Sequence, residues 1–313
     1  MKKYLVTGGA GFIGSNIVEE LVNRGENVRV LDNLSTGKEE HLTPFMEKID
    51  FQKGDIRNEE DTRKALEGID YVIHQAALRS VAKSVEQPIP NNDVNVNGTL
   101  NVLMLSKEMG IKRVVYASSS SAYGDVDEFP EKETMTPNPI SPYAVSKLAG
   151  EYYCRMFSAT YGLETVSLRY FNVFGPRQNP ESKYSAVIPA FISQLVQDKP
   201  CMIDGDGEQS RDFTYVKNVV DANLAACEVH GISGKVFNVA CGESYSVTDT
   251  AEGIKKILGK DIESIHGPKR PGDVFKTYAD ISGLRDVLHV EPKVGFYEGL
   301  EKTVDWFVNS YKP

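Results

Sequence analysis

Near the start of the chain a short apolar run, Tyr4-Leu5-Val6, breaks into Thr7-Gly8-Gly9-Ala10-Gly11-Phe12-Ile13-Gly14, and this string restricts the fold more than any other part of the sequence. It carries G-x-G-x-x-G at Gly9, Gly11 and Gly14, and G-x-x-G-x-x-G at Gly8, Gly11 and Gly14. A strand that turns sharply into a helix needs residues without Cβ where the backbone bends, where an anion approaches and where helix lies on strand. The first helical turn, with Phe12 and Ile13, then aims free amides at the turn, a setting suited to pyrophosphate. A second apolar run ends in Asp32, 18 residues past Gly14 and followed by Asn33. A carboxylate there can accept from both ribose hydroxyls and repels a 2′-phosphate, so the expected cofactor is NAD rather than NADP. Asp55-Ile56, after a third strand, either flanks the adenine or only forms a turn.

Strand-like and helical runs alternate through the first half. Strands are expected over 3–7, 28–31, 51–53, 71–74, 113–118 and 164–170, and helices over 12–24, 59–66, 93–109 and 142–161. Such alternation implies right-handed crossovers and a doubly wound parallel α/β sheet covered on both faces. Beyond Asn172 the pattern is less regular, with helices near 187–197, 216–229, 247–258 and 299–309. A strand over 236–239 can return to the sheet. The expected organisation is a dinucleotide-binding Rossmann domain over 1–172 and a smaller, partly interleaved substrate lobe over 173–313, with the substrate in the cleft beyond the strand ends.

The 313 residues are 41% hydrophobic and carry a net charge of −9, enough for a substantial core and repulsive on average to nucleic acid and anionic membranes. Cys154, Cys201, Cys227 and Cys241 form no C-x-x-C or Cys/His cluster, so neither a metal site nor a disulfide framework is expected. No apolar stretch approaches a signal peptide or a membrane span, and the expectation is a soluble cytoplasmic protein.

The second informative string is Tyr143-Ala144-Val145-Ser146-Lys147. On a helix, Tyr143 and Lys147 share a face. A free phenol has a pKa of about 10, so half-ionisation at neutral pH needs roughly 4 kcal/mol from the surroundings. A lysine ammonium and a nicotinamide cation can supply it. Ser119, in the run Ser118-Ser119-Ser120-Ser121, would hydrogen-bond a reacting hydroxyl, and Lys147 would also hold the nicotinamide ribose. Downstream of the glycine loop, this set points to nicotinamide chemistry on an alcohol carbon.

With Ala122-Tyr123-Gly124, Ser141-Pro142-Tyr143 and Leu168-Arg169-Tyr170-Phe171-Asn172-Val173-Phe174-Gly175 added, essentially the whole chain resembles the extended short-chain dehydrogenase/reductases that act on nucleotide sugars. It is most similar to the UDP-hexose 4-epimerases, particularly those accepting UDP-N-acetylglucosamine. The resemblance implies that a Tyr143 phenolate takes the C4 hydroxyl proton while the C4 hydride passes to NAD. The 4-keto sugar then turns over and receives the hydride on its other face. It also implies a cofactor set extended by Ala76, Ala77 and Tyr170, and a sugar contact set of Ser119, Ser120, Asn172, Ala186 and Val187. Arg211 and Arg270 would clamp the diphosphate, as guanidinium forks suit, and Asp273 would accept from the uridine ribose. A homodimer through the two long helices is part of the same expectation.

Within that family, dehydratases place an Asp-Glu pair after the substrate-binding Ser/Thr, and UDP-glucuronate decarboxylases keep a Glu at the second position. Ser120 and Ser121 stand there, which disfavours both reactions. Thr277 corresponds to a wall position where Tyr restricts the pocket to UDP-glucose and UDP-galactose, so its small side chain leaves room for a 2-acetamido group. Arg79 could instead pair with a C6 carboxylate, which keeps UDP-glucuronate 4-epimerisation as the alternative, although glucuronate epimerases place Thr at the position of Asn172. A non-catalytic NAD-binding sensor on this fold would be expected to lose Tyr143 or Lys147, and both are present.

Overall fold

A computed structural model describes residues 1–180, 186–269 and 274–310. Among them seven strands form one parallel sheet. Six are β1 (Lys3–Thr7), β2 (Asn27–Asp32), β3 (Ile49–Lys53), β4 (Tyr71–His74), β5 (Arg113–Ser119) and β6 (Glu164–Tyr170); the seventh is Lys235–Val239. Their spatial order is β3-β2-β1-β4-β5-β6 followed by Lys235–Val239, a Rossmann order in which the sense of strand addition switches between β1 and β4. The strand Lys235–Val239 runs parallel beside β6, with Phe237 opposite Leu168.

Period-two alternation explains why both faces are covered. Tyr4 and Val6 of β1, with Val115 and Ala117 of β5, pack on one face against Ile17, Val18 and Leu21 of helix α1 (Phe12–Asn23) and against Val219 and Val220. Leu5, Val114 and Tyr116 point to the other face, against Leu103, Cys154 and Phe157. A separate aromatic core of Phe174, Phe191, Phe213 and Phe296 joins the helices Val187–Val196, Val247–Leu258 and Phe296–Ser310.

The helix carrying the Tyr/Lys string spans Pro142–Tyr161, with ends that the sequence dictates. Ser141 caps it, its hydroxyl accepting from the Ala144 amide at 3.2 Å; Pro142 takes the first helical position, and Gly162 closes it at φ 71°. The helix expected over 93–109 starts earlier. Pro88–Asn92 leads into a π-helical stretch, Asp93–Gly98, and then Thr99–Glu108. Pro88 and Pro90 read as breakers, yet a proline in a first turn gives up only an amide that has no partner there. A short helix, Val81–Glu86, capped by Ser80, was not expected at all. Among the described residues no helix is long and apolar enough to cross a membrane.

Candidate active site

A cavity of about 1180 Å³ opens at the carboxyl ends of β1 and β4. Gly8, Gly11, Phe12, Ile13 and Gly14 form one end of its wall, joined by Asp32, Asn33, Asp55, Ile56, Ala76 and Ala77. Arg79, Ser119, Ser120, Tyr143, Lys147 and Tyr170 line its middle, and Asn172, Ala186, Arg211 and Thr277 the remainder. Val187 is not among the lining residues. It begins a helix and packs against the aromatic core, because a helical turn directs neighbouring residues 186 and 187 to different sides. Arg270 and Asp273 lie outside the described residues.

The glycine loop is shaped as its composition requires. Gly8 sits at φ +69°, and a Cβ there would lie 2.7 Å from the Ala76 amide nitrogen; a Cβ on Gly14 would lie 2.2 Å from the Gly8 carbonyl oxygen. Gly11 precedes α1 without a side-chain cap, and no acidic residue occupies the first turn. The amides of that turn, which have no intrahelical acceptor, therefore line the cavity unopposed by negative charge. Asp32 is buried, its carboxylate accepting from the Ala10 amide at 3.0 Å and the Leu34 amide at 2.8 Å. Burial pushes its pKa up, against those two hydrogen bonds. Each oxygen keeps a lone pair for a ribose hydroxyl. Helix amides for pyrophosphate and a strand-end carboxylate for ribose fit NAD. The Asp55 carboxylate is already engaged by the Arg57 guanidinium, which holds it well below the usual range, and by Asn33 Nδ2 at 2.8 Å.

At the chemical end β5 delivers Ser119, whose Oγ donates to Ser121 Oγ at 3.1 Å and accepts from the Ser121 amide at 3.2 Å. Lys147 is buried, and its Nζ donates to the Ala117 carbonyl at 2.8 Å. It lies 5.9 Å from the centre of the Tyr143 ring, and burial lowers its pKa to about 8. Burial raises the pKa of the Tyr143 phenol, and the groups that oppose this are a hydrogen bond with Ser119 and the Arg79 charge. The Tyr170 hydroxyl is tied back, accepting from Gln75 Nε2 at 2.8 Å and donating to Asn223 Oδ1 at 3.0 Å.

On the far side Asn172 is held at φ 31°, and its Nδ2 donates to Thr277 Oγ1 at 2.9 Å and to the Asp212 carbonyl at 3.2 Å. Thr277 Oγ1 also accepts from the Asp212 amide at 3.1 Å, so Thr277 is a hydrogen-bonding hub as well as a small wall residue. Arg211 Nη1 donates to the Ser210 and Phe275 carbonyls at 2.9 and 3.2 Å.

Sequence reasoning missed three contributors. Gln75 lines the cavity and orients Tyr170. Asn95, in the π-helical stretch, accepts from the Leu78 amide at 2.8 Å and donates to Ser146 Oγ at 3.0 Å, tying the Arg79 segment to the Tyr143 helix. Arg177 lines the cavity and reaches Asn16 and Glu19 of α1. Only the position of Gln75 immediately after β4 offered a signal.

Residues 4–240 match the family described as "NAD dependent epimerase/dehydratase family". A putative UDP-glucose 4-epimerase of Methanocaldococcus jannaschii is 39% identical over 308 residues, covering 98% of each chain. Among solved structures, UDP-N-acetylglucosamine 4-epimerase from Methanobrevibacter ruminantium M1 in complex with UDP-N-acetylmuramic acid is 43% identical, with a TM-score of 0.95 over 99% of each chain. UDP-glucuronic acid 4-epimerase from Bacillus cereus in complex with UDP-glucuronic acid and NAD is 34% identical, with a TM-score of 0.91 over 99% of this chain and all of that one (100%). On sequence, fold and cofactor-site shape together, the chain belongs to the NAD-dependent epimerase/dehydratase family.

Proposed function

We infer that this NAD-dependent isomerase of UDP-sugars interconverts UDP-N-acetylglucosamine and UDP-N-acetylgalactosamine through a 4-keto intermediate, and UDP-glucose and UDP-galactose by the same route. One observation carries the reading: Tyr143, Ser119 and Lys147 meet at the cavity wall, with serines at 120 and 121 where elimination or decarboxylation would want an extra acid or base. NAD, when bound, supplies reversible hydride acceptance at C4. Tyr143 Oη takes the C4 hydroxyl proton and gives it back after the ketone has turned. Ser119 Oγ orients that hydroxyl, and Lys147 holds the nicotinamide ribose. Gly8, Gly11, Phe12, Ile13 and Gly14 bind the pyrophosphate and Asp32 the adenosine ribose, with Asn33, Asp55, Ile56, Ala76, Ala77 and Tyr170 around them. Arg79, Ser120, Asn172, Ala186 and Thr277 would contact the sugar; Arg211, Arg270 and Asp273 would hold the UDP.

On this reading residues 1–172 bind NAD and residues 173–313 bind UDP-sugar, in the cytoplasm. The exposed Met104, Val145, Tyr152 and Tyr161 on the two long helices support a homodimer, and a monomeric sedimentation coefficient would reject it.

The substrate test is a proton NMR panel of UDP-N-acetylglucosamine, UDP-glucose and UDP-glucuronate, run with the native chain and with Thr277→Tyr. The native chain is expected to turn over both neutral sugars. The variant loses the Asn172 and Asp212 hydrogen bonds, so both rates fall, but the acetylated sugar must lose at least about tenfold more, as a blocked pocket costs several kcal/mol. Equal losses would remove the pocket argument. Turnover of UDP-glucuronate alone would install the second reading, which Arg79 favours because its charge acts on Tyr143 and lies within reach of the reacting sugar.

A further inference from the structure

Glu131 is an ionisable group of the cavity wall that the mechanism leaves unused. Glu131 is only 1% exposed, yet it forms part of the cavity wall. Its backbone is clamped from both sides: its amide donates to the Tyr278 carbonyl at 2.7 Å, and its carbonyl accepts from the Asp280 amide at 2.9 Å and from Asn238 Nδ2 at 2.9 Å. The carboxyl is clamped at one oxygen only, where Oε2 accepts from the Tyr278 amide at 2.8 Å. Among the described residues no other group donates a hydrogen bond to it. Tyr278 directly follows Thr277, so the carboxyl is fixed beside the wall position that governs the 2-substituent of the sugar.

The charges around it are sparse. Burial pushes the Glu131 pKa up to about 7, opposed by the Tyr278 amide and the Arg211 charge. Asp212, on the segment that carries Arg211, is itself pushed up to about 7 by burial, with Glu131 adding to the shift. Glu133 in the same loop spends its carboxylate on the Asn238 amide, and Lys276 lies over the Phe129 and Tyr278 rings. A buried carboxyl with lone pairs short of donors is costly unless something else donates to it. The cavity is where that donor can come from.

We propose that Glu131 is a specificity-determining residue of the UDP-hexose site, accepting a hydrogen bond from the N–H or O–H at C2 of the sugar and disfavouring substrates that carry a carboxylate on the ring. The assignment rests on the UDP-hexose reading above. Because the ionised carboxyl is the better acceptor, KM for UDP-N-acetylglucosamine falls as pH rises through 7.

The test is E131Q in the full-length enzyme with NAD. Glutamine keeps the volume and the Tyr278 bond through its amide oxygen, and so turns a donor toward the cavity. The expected result is a KM for UDP-N-acetylglucosamine raised about tenfold or more, as for a lost hydrogen bond to a charged group, with kcat within about threefold. The pH dependence of KM disappears, the Kd of UDP is unchanged, and the ratio of UDP-glucuronate to UDP-glucose turnover rises. An unchanged KM overturns the proposal. A KM rise matched by equal weakening of UDP binding also overturns it, since that is the signature of a merely structural role. If E131Q does not fold, E131D withdraws the carboxylate by one methylene and carries the same KM and UDP expectations. A native chain that binds UDP and turns over no UDP-hexose removes the parent reading instead, and this assignment with it.

Discussion

Replacing Tyr143 by Phe lowers epimerisation by about 10² to 10⁴-fold, the range for loss of a positioned acid/base group, and leaves UDP and NAD binding intact. The helix does not depend on the phenol. The Tyr143 amide donates to Ser84 Oγ at 3.1 Å and its carbonyl accepts from Ser146 Oγ at 2.8 Å, both backbone contacts that Phe retains. The ring and its place beside Lys147 are unchanged. Burial holds the phenol above its ordinary pKa, so activity limited by Tyr143 climbs as pH rises and the phenolate fraction grows. Positive charge from the oxidised nicotinamide, added to Arg79 and the Ser119 hydrogen bond, moves that acid limb to lower pH. The NMR rate and a calorimetric UDP titration on Tyr143→Phe check the split; a variant with native turnover contradicts the assigned role.

Replacing Glu151 by Ala costs about 3–5 kcal/mol of stability, the range for stranding one partner of a buried ion pair. Glu151 and Arg169 are each 3% exposed. Arg169 Nε donates to Glu151 Oε1 at 2.8 Å and Nη2 donates to Oε2 at 2.7 Å, while Ser118 Oγ donates to Oε1 at 2.5 Å. Burial works against the Arg169 charge, and Glu151 more than offsets it. With the carboxylate gone, a buried guanidinium 4.5 Å from the Tyr123 ring centre loses the ion-pair partner that touches it. The three partners adjoin cavity-lining residues along the chain: Ser118 precedes Ser119, Arg169 precedes Tyr170, and Glu151 follows Lys147 by one helical turn. Lost stability therefore comes with lost activity in whatever remains folded. Urea unfolding measures the first effect. A Glu151→Met, Arg169→Met double variant, which removes both charges, recovers much of the loss; a single variant as stable as the native chain would show that the pair contributes nothing.

The fold, and the placing of Tyr143 and Lys147 on one helix face, were legible because both are local patterns. Gly8, Gly11 and Gly14 announce a strand–turn–helix by spacing, and Tyr143 and Lys147 announce a shared face by a four-residue interval. The turn Pro88–Asn92, which precedes the helix expected over 93–109, was not legible, because prolines are tolerated in a helix only at first-turn positions and the sequence does not mark where that turn begins. Glu131, Gln75 and Arg177 were hidden because each depends on partners distant in sequence: Glu131 on Tyr278, Gln75 on Tyr170 and Asn223, Arg177 on Asn16 and Glu19. Lys147 illustrates a different limit. Sharing a face with Tyr143 did not reveal that its ammonium would donate to the Ala117 carbonyl. Thr277 was read as small and proved to be a hydrogen-bonding hub as well, a property that residue type alone does not carry.

The most direct measurement follows the C4 position of UDP-N-acetylglucosamine incubated with the native enzyme and NAD in D2O, by proton NMR and mass spectrometry. Removal and return of one hydride within a closed site predicts growth of UDP-N-acetylgalactosamine with protium retained at C4 and no deuterium on the ring carbons. Deuterium at C4, or C4 left uninverted while another product forms, would contradict the account.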